Sequence, residues 1–319
     1  MTFDSDLASV PPPMSSGQDP WRRKVLLALG VLALFSYTLL VSGGLLLAHE
    51  REAGFALRNL ENLGRVLEGH ARSTIEKIDT ILLATRLQLN TRITATSQVD
   101  AATRATATAE TSNATSAALA QYLALISAES QSLRVADASG SFIHDASGTL
   151  FPARIHDRDY FRQNRDTPGG GLVISEPLFA RITHNWVITL SRRLDAPDGT
   201  FAGLVQAAVR AEYFQDFFAN LDLGPGQSVT LIDASRRLIA RYPAAQDKLG
   251  QPLESDYLID MIGQGLHHIS YTTHSAVDGV KRLYVVRRVG NFPLYVLVGH
   301  AETEYLANWE RQRFWSVLS

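Results

Sequence analysis

The most chemically loaded stretch of this sequence is Asp157-Arg158-Asp159-Tyr160-Phe161, an arginine between two acids with two aromatic rings behind it. A guanidinium is a planar fork of donors matched to a carboxylate, and whose carboxylate it meets decides its role. If Asp157 or Asp159 supplies that group, the string is an ion-paired loop cap; if a bound molecule supplies it, the string is a binding loop. The residue types alone leave both readings open. Tyr160 and Phe161 point to opposite sides of an extended chain, so at most one can line a pocket while the other packs inward. Further on, His184, Trp186 and Ile188 alternate onto one face of a predicted strand. Trp186 reads there as pocket wall or as core, with one polar partner for its indole, and His184 ranks below it.

Other constellations offer less. His267, His268 and His274 with Asp278 suggest a metal, but adjacent histidines on a strand face opposite ways. A straight strand would hold His268 and His274 roughly 20 Å apart, too far for one ion. Pro168-Gly169-Gly170-Gly171 precedes the strand-like Leu172 to Ser175 instead of a helix, so it lacks the helix N-terminus of a phosphate loop. No G-x-S-x-G, H-E-x-x-H or Walker sequence occurs, and the absence of cysteine excludes disulfides, thiolate metal sites and a cysteine nucleophile. No catalytic residue, metal or cofactor is therefore expected in this stretch. With 30 basic and 32 acidic residues the net charge is -2, and no basic field points to nucleic acid.

The elements that must position these residues begin with a membrane span. Val25 to Ala48 carries no charge, and as a helix it is roughly 36 Å long, enough to cross a hydrocarbon core of about 30 Å. It is too long, and lacks the A-x-A-like exit, for a cleaved signal peptide. Arg22, Arg23 and Lys24 on its N-terminal flank place the N-terminus in the cytoplasm and everything after Ala48 outside. An extracytoplasmic domain without disulfides fits a bacterial inner-membrane protein facing the periplasm. Residues 1–20 read as a disordered cytoplasmic tail, and residues 21–48 as the transmembrane helix. Residues 49–130 read as a long helix, an Ala/Thr-rich loop and a second helix whose apolar face is Leu119, Tyr122, Leu123, Ile126 and Leu133. On the long helix, Leu60, Leu67, Ala71, Ile75, Ile78 and Leu82 recur at helical spacing.

The period then becomes alternating, and the chain repeats itself. Leu133 to His144 and Val229 to Arg241 each set Asp-Ala-Ser in a turn between two short apolar runs. Ile188 to Leu194 followed by Phe201 to Val209 matches Tyr284 to Val289 followed by Leu294 to His300, with Asp198-Gly199 and Gly290-Asn291 closing the hairpins. Two matched hairpin pairs in the same order indicate a duplicated antiparallel module, within an α+β fold. Tyr213, Phe214, Phe217, Phe218 and Leu221 share a face of the short helix that joins the copies. Residues 302–319 read as a C-terminal helix leading to a second transmembrane helix, so the sequence is expected to be part of a longer receptor.

A span, a long helix and two tandem PAS-like modules resemble the double Cache sensor domains of bacterial receptors, over about residues 49 to 310. The strings that carry the resemblance are Asp157 to Phe161, Ile174-Ser175-Glu176-Pro177, Trp186 to Arg192 and Asp198 to Phe201 in the first module. Leu238 to Pro243, Asp278-Gly279 and Phe292-Pro293-Leu294 continue it in the second. They are similar to the subgroup fused to diguanylate cyclases or histidine kinases. The resemblance implies a membrane-distal module at 131–222, a membrane-proximal module at 223–301, and a ligand site in the first of them. Arg158, Tyr160 and Phe161 fall on the family's Arg-x-aromatic-aromatic motif, with Asp157, His184 and Trp186 beside it. Amino-acid-binding members carry an acid near the end of the strand after the Asp-Gly turn, where this chain has Ala208; this turns the expectation toward a carboxylate or another small polar molecule. The implied partners are that small molecule, the membrane and a second copy of the chain as a homodimer. The implied output is a diguanylate cyclase beyond Ser319, with a histidine kinase or chemoreceptor as the alternative and a partner-binding scaffold without ligand as the second class.

Overall fold

A computed structural model describes residues 20–97, 114–307 and 309–311. The cytoplasmic tail, most of the Ala/Thr-rich loop and the approach to a second span lie outside the described residues. Helix α1 runs unbroken over Pro20–Ser97, since no proline or glycine pair interrupts it after its apolar start. Its N-terminal part is long and apolar enough to cross a membrane, and Leu27, Val31, Leu34, Phe35 and Leu39 there are exposed.

The later part of α1 belongs to the folded unit, Ala53–Leu306. Leu60, Leu67, Ala71, Ile75, Ile78 and Leu82 are buried along one stripe against the apolar faces of both modules. Ion pairs flank the stripe, among them one to each module through an acid of α1. Glu68 accepts from Arg287 Nε at 2.9 Å in the second module, and Asp79 accepts two bonds from Arg192 at 2.5 and 2.8 Å in the first. Helix α2 covers 114–125. It ends before the sequence pattern expects: Ile126 lies in the following turn and Leu133 on the first strand. Both side chains are buried in the same core as Leu119, which is why a helical period seemed to continue through them.

Eleven strands are described: β1 Ser130–Asp137, β2 Phe142–Asp145, β3 Val173–Ile174, β4 Leu178–Phe179, β5 Trp186–Asp195, β6 Phe201–Arg210, β7 Gln227–Asp233, β8 Leu238–Tyr242, β9 His268–His274, β10 Lys281–Arg288 and β11 Leu294–Ala301. They form two antiparallel sheets ordered β2-β1-β6-β5-β3, with β4 also on β5, and β8-β7-β11-β10-β9. The expected duplication is therefore real in three dimensions. Each sheet starts with the Asp-Ala-Ser hairpin, whose aspartate makes the turn by accepting backbone N–H groups. Asp137 Oδ1 takes those of Ser139 and Ser141 at 2.9 and 3.0 Å, and Asp233 Oδ1 takes that of Arg237 at 2.8 Å.

The excursion between the second and third long strands differs between modules. In the first it carries α3, Asp159–Asp166, and the short β3 and β4; in the second it carries α5, Asp256–Gly263. Helix α4, Ala211–Ala219, joins the modules. It buries Phe214 and Phe218, while its Phe217 ring stacks on His70 of α1 at 3.5 Å between centroids. The Tyr213 hydroxyl meets His70 Nε2 at 3.1 Å and Thr74 Oγ1 at 3.2 Å. The long helix, the joint and both sheets thus share one core.

Candidate ligand-binding site

Arg158 sits at the N-terminal cap of α3 in extended geometry, φ -82 and ψ 139, held by its N–H donating to Ile155 O at 2.9 Å. The two acids that compete for it are both engaged elsewhere. Asp157 is gripped from two sides by Arg181, which holds its carboxyl down at about 2. Asp159 takes Arg162 Nη2 at 2.6 Å, one turn along the same helix. Arg158 is left with one long bond, Nη2 to Phe179 O at 3.4 Å, and no carboxylate among the described residues.

Its guanidinium faces a cavity of about 50 Å³ between the excursion and the inner face of β1, β5 and β6. Four arginines line it: Arg134, Arg154, Arg158 and Arg181. Arg134 is neutralised by Asp145 and Arg181 by Asp157, whereas Arg154 and Arg158 have no ion-pair partner among the described residues. No aspartate or glutamate is in the lining, and Ala208 is. The polar floor is Gln206 beside the Tyr160 hydroxyl; Gln206 Oε1 is buried without a hydrogen-bond partner among the described residues. Burial pushes the Tyr160 hydroxyl far up, so at neutral pH it keeps its proton and can donate. The site can therefore receive a small anion through guanidinium, hydroxyl and amide donors, and it offers nothing to hold an ammonium group.

The other expected residues fall outside this cavity. Phe161 is 1% exposed and packs edge-on to Phe201 with ring centroids 5.4 Å apart; the extended-chain expectation is corrected, since Tyr160 and Phe161 lie in helix α3 and are buried in the same apolar cluster. Asp157 acts on Arg181 and does not itself line the cavity. The strand-face reading of His184 is corrected. His184 lies before β5 in the turn after β4, exposed at φ 52, because the chain reverses there through its N–H to Ala180 O. Trp186 opens β5, and its ring reaches the second module, where it packs against Gly250. A Cβ on Gly250 would lie 2.4 Å from the indole. Arg134, Arg154, Arg181 and Gln206 were not singled out from sequence. Gln206 carried a signal, as the single amide in the apolar run of β6; the arginines are scattered over β1 and the excursion and carried none.

The second module holds a larger cavity, about 350 Å³, between α5 and its own sheet. Its one arginine, Arg241, is ion-paired, donating to Thr230 Oγ1 at 2.9 Å and to Oδ2 of Asp278 at 2.8 Å, an aspartate it shares with Arg282. Size favours this cavity and unspent positive charge favours the first.

A family model described as the Cache domain matches residues 52–309. The chain belongs to the Cache domain family. Among solved structures, the Cache fold here is similar to the extracellular domain of rpHK1S-Z16, assigned as a histidine kinase, at 25% identity and a TM-score of 0.66, covering 81% of this chain and 99% of that one. The sensory domain of the Campylobacter jejuni chemoreceptor Tlp3 with isoleucine bound matches at 14% identity and a TM-score of 0.56, over 81% and 97% of the two chains. The ligand-binding domain of the Pseudomonas aeruginosa amino acid chemoreceptor PctC with GABA matches at 15% and 0.51, over 76% and 98%. No curated protein matches this sequence. The Cache unit is thus built as the extracellular sensor domains of histidine kinases and chemoreceptors are, in two tandem PAS-like modules behind an apolar N-terminal helix.

Proposed function

We propose that this Cache domain senses a small carboxylate in its first module and passes the event across the bacterial inner membrane. The observation that supports it is Arg158: its neighbouring acids are spent on Arg181 and Arg162, and it faces a cavity whose lining has arginines and no acid. Two of the similar structures hold isoleucine and GABA, both with a carboxylate and an amino group. Ala208 and the acid-free lining favour a ligand that presents the carboxylate alone. The N-terminus is cytoplasmic and the Cache unit periplasmic, by the charge on the flanks of the apolar helix. The chain works as a homodimer, and binding biases one of two packings of α1 against the modules. The output is of the histidine kinase or chemoreceptor kind, as in the neighbours; the subgroup resemblance adds diguanylate cyclase.

The test is a thermal-shift and calorimetric screen of the full chain in lipid nanodiscs against acetate, lactate, malonate, succinate, isoleucine and GABA. A ligand at 100 times its Kd stabilises by about 2.7 kcal/mol. The expected outcome is a hit among the amine-free acids that Arg158→Ala abolishes. Hits confined to the amino acids, or a hit indifferent to Arg158→Ala, would overturn the reading.

A further inference from the structure

The first-module cavity contains one acceptor that a bare carboxylate does not use. Gln206 is 4% exposed and lies on the cavity floor, and its Oε1 accepts no hydrogen bond among the described residues. Its cross-strand neighbours do not serve it. Arg134 on β1 donates to Asp145, and Ser191 Oγ on β5 is held by Asn164 Nδ2 at 2.9 Å. The Tyr160 hydroxyl stands beside the amide but does not donate to this oxygen. A buried acceptor without a donor is destabilising, and the second module avoids it by having Leu297 at the corresponding place in its row. The orphan oxygen and the guanidinium of Arg158 line the same small space.

A molecule that fills this space with its carboxylate on Arg158 covers Gln206 Oε1, so its affinity depends on whether it donates to that oxygen. An ammonium group is opposed by charge, since the lining holds four arginines and no acid. An amide brings a carbonyl oxygen with it, a second acceptor to satisfy in the same space. A hydroxyl donates one proton and adds no charge, and its lone pairs suit the guanidinium and Tyr160 donors. The cavity is about 50 Å³, and one water needs about 10–15 Å³ of such room, so it suits an acid of about five or six heavy atoms. We infer that the first module selects a small 2-hydroxy acid, its carboxylate on Arg158 and its hydroxyl donating to Gln206 Oε1. This rests on the carboxylate reading above and adds one required donor to it. A 2-oxo acid of the same size presents a lone pair to Oε1 instead, so the site separates the reduced from the oxidised member of such a pair.

The experiment uses the full chain in nanodiscs, titrated calorimetrically with lactate, glycolate, propionate, pyruvate and alanine. Lactate is expected to bind about tenfold or more tightly than propionate or pyruvate. Gln206→Leu should bring lactate and propionate to within about twofold of each other, and Arg158→Ala should remove both. The selectivity of the unaltered chain is a test in itself and does not depend on how any variant folds. Propionate or pyruvate binding as tightly as lactate, a lactate preference that survives Gln206→Leu, or alanine binding more tightly than lactate would each overturn the inference. Acids that bind through Arg158 without preference for lactate take away this inference alone. If no acid binds at all, the carboxylate reading falls and this one with it.

Discussion

One row of cross-strand neighbours, compared between the two sheets, shows what the duplication kept and what it released. In the first module the row reads Asp145 on β2, Arg134 on β1, Gln206 on β6 and Ser191 on β5. In the second the corresponding row reads Arg241 on β8, Thr230 on β7, Leu297 on β11 and Val286 on β10. The backbone register is the same, and both rows floor a cavity. The first row is polar from edge to edge, and Asn164 of α3 donates to Ser191 Oγ at 2.9 Å to complete it. The second is polar only at its β8–β7 end, and its arginine has moved one strand outward, where Asp278 captures it. The fold therefore decides where a cavity forms between sheet and excursion, while four side chains decide its charge.

The sharpest way to break this comparison is to remove the acid that neutralises the second row. Asp278 holds Arg241 and Arg282, whose side chains are 3% and 6% exposed, and their grip keeps its carboxyl well below the ordinary range although burial opposes this. Asp278→Ala strands both guanidinium groups. We expect a loss at the lower end of the range for a broken buried pair, about 3 kcal/mol, because a third of the Asp278 side chain reaches water. Urea denaturation of the full chain measures it. An unchanged midpoint would mean that the second row does not depend on its neutralisation.

Next in size is the contact between the modules. Gly250 has φ +76 and lies under the Trp186 ring, so a side chain there meets both backbone strain and a clash. Gly250→Ala should cost about 2 kcal/mol, and Trp186→Ala should relieve most of that added cost in a double-mutant cycle. Additive losses would show that the ring is not what Gly250 accommodates.

A smaller and opposite effect is expected in the first row. Gln206 keeps a buried amide oxygen without a partner among the described residues, at a position where the second module has leucine. Gln206→Leu should leave stability unchanged or raise it by up to about 1 kcal/mol, while weakening any carboxylate held beside Arg158. Loss of stability would instead make Gln206 a structural member of the row.

These rows mark the limit of what could be read from sequence. Hairpins, the helical stripe from Leu60 to Leu82 and the repeat itself are periodic, local signals, and they translated into elements in the right order. Arg158 and Tyr160 stood out because their types are adjacent in sequence. Arg134, Arg154 and Arg181 meet them only through sheet register and the path of the excursion, which no local pattern encodes. Trp186 took the core alternative of its two readings, but in the other module: alternation tells which side of a strand a ring takes, and a ring at a strand's end can pass beyond its own sheet. The same holds for Leu133, whose burial in the common core imitated one more turn of helix.

The finest discrimination comes from the repeated Asp-Ala-Ser turns, which share a backbone role and differ in surroundings. Burial pushes the Asp233 carboxyl up to about 6, and Glu176 nearby adds to this against the bonds from the Arg237 and Ser235 backbone. At Asp137 burial works the same way, but the Ser139 hydroxyl and three backbone N–H groups outweigh it and hold the carboxyl below its ordinary value. The signs of the pH dependence are therefore opposite. Native Asp233 keeps a proton that the unfolded chain has lost between pH of about 4 and 6, so its contribution to stability declines as pH rises through that window and stays low above it. Asp137 contributes stability that is present above the unfolded carboxylate value and is lost as pH falls below it. Asp233→Asn keeps the turn's acceptor and removes the charge, so it should stabilise the chain by about 1 kcal/mol at pH 7 and flatten the pH 4 to 6 slope. Asp137→Asn should cost no more than about 0.5 kcal/mol, as befits a half-buried turn. Melting temperatures of the two variants at pH 4.5 and pH 7 check both signs at once, and equal responses would mean that the copies of this turn do not differ in environment.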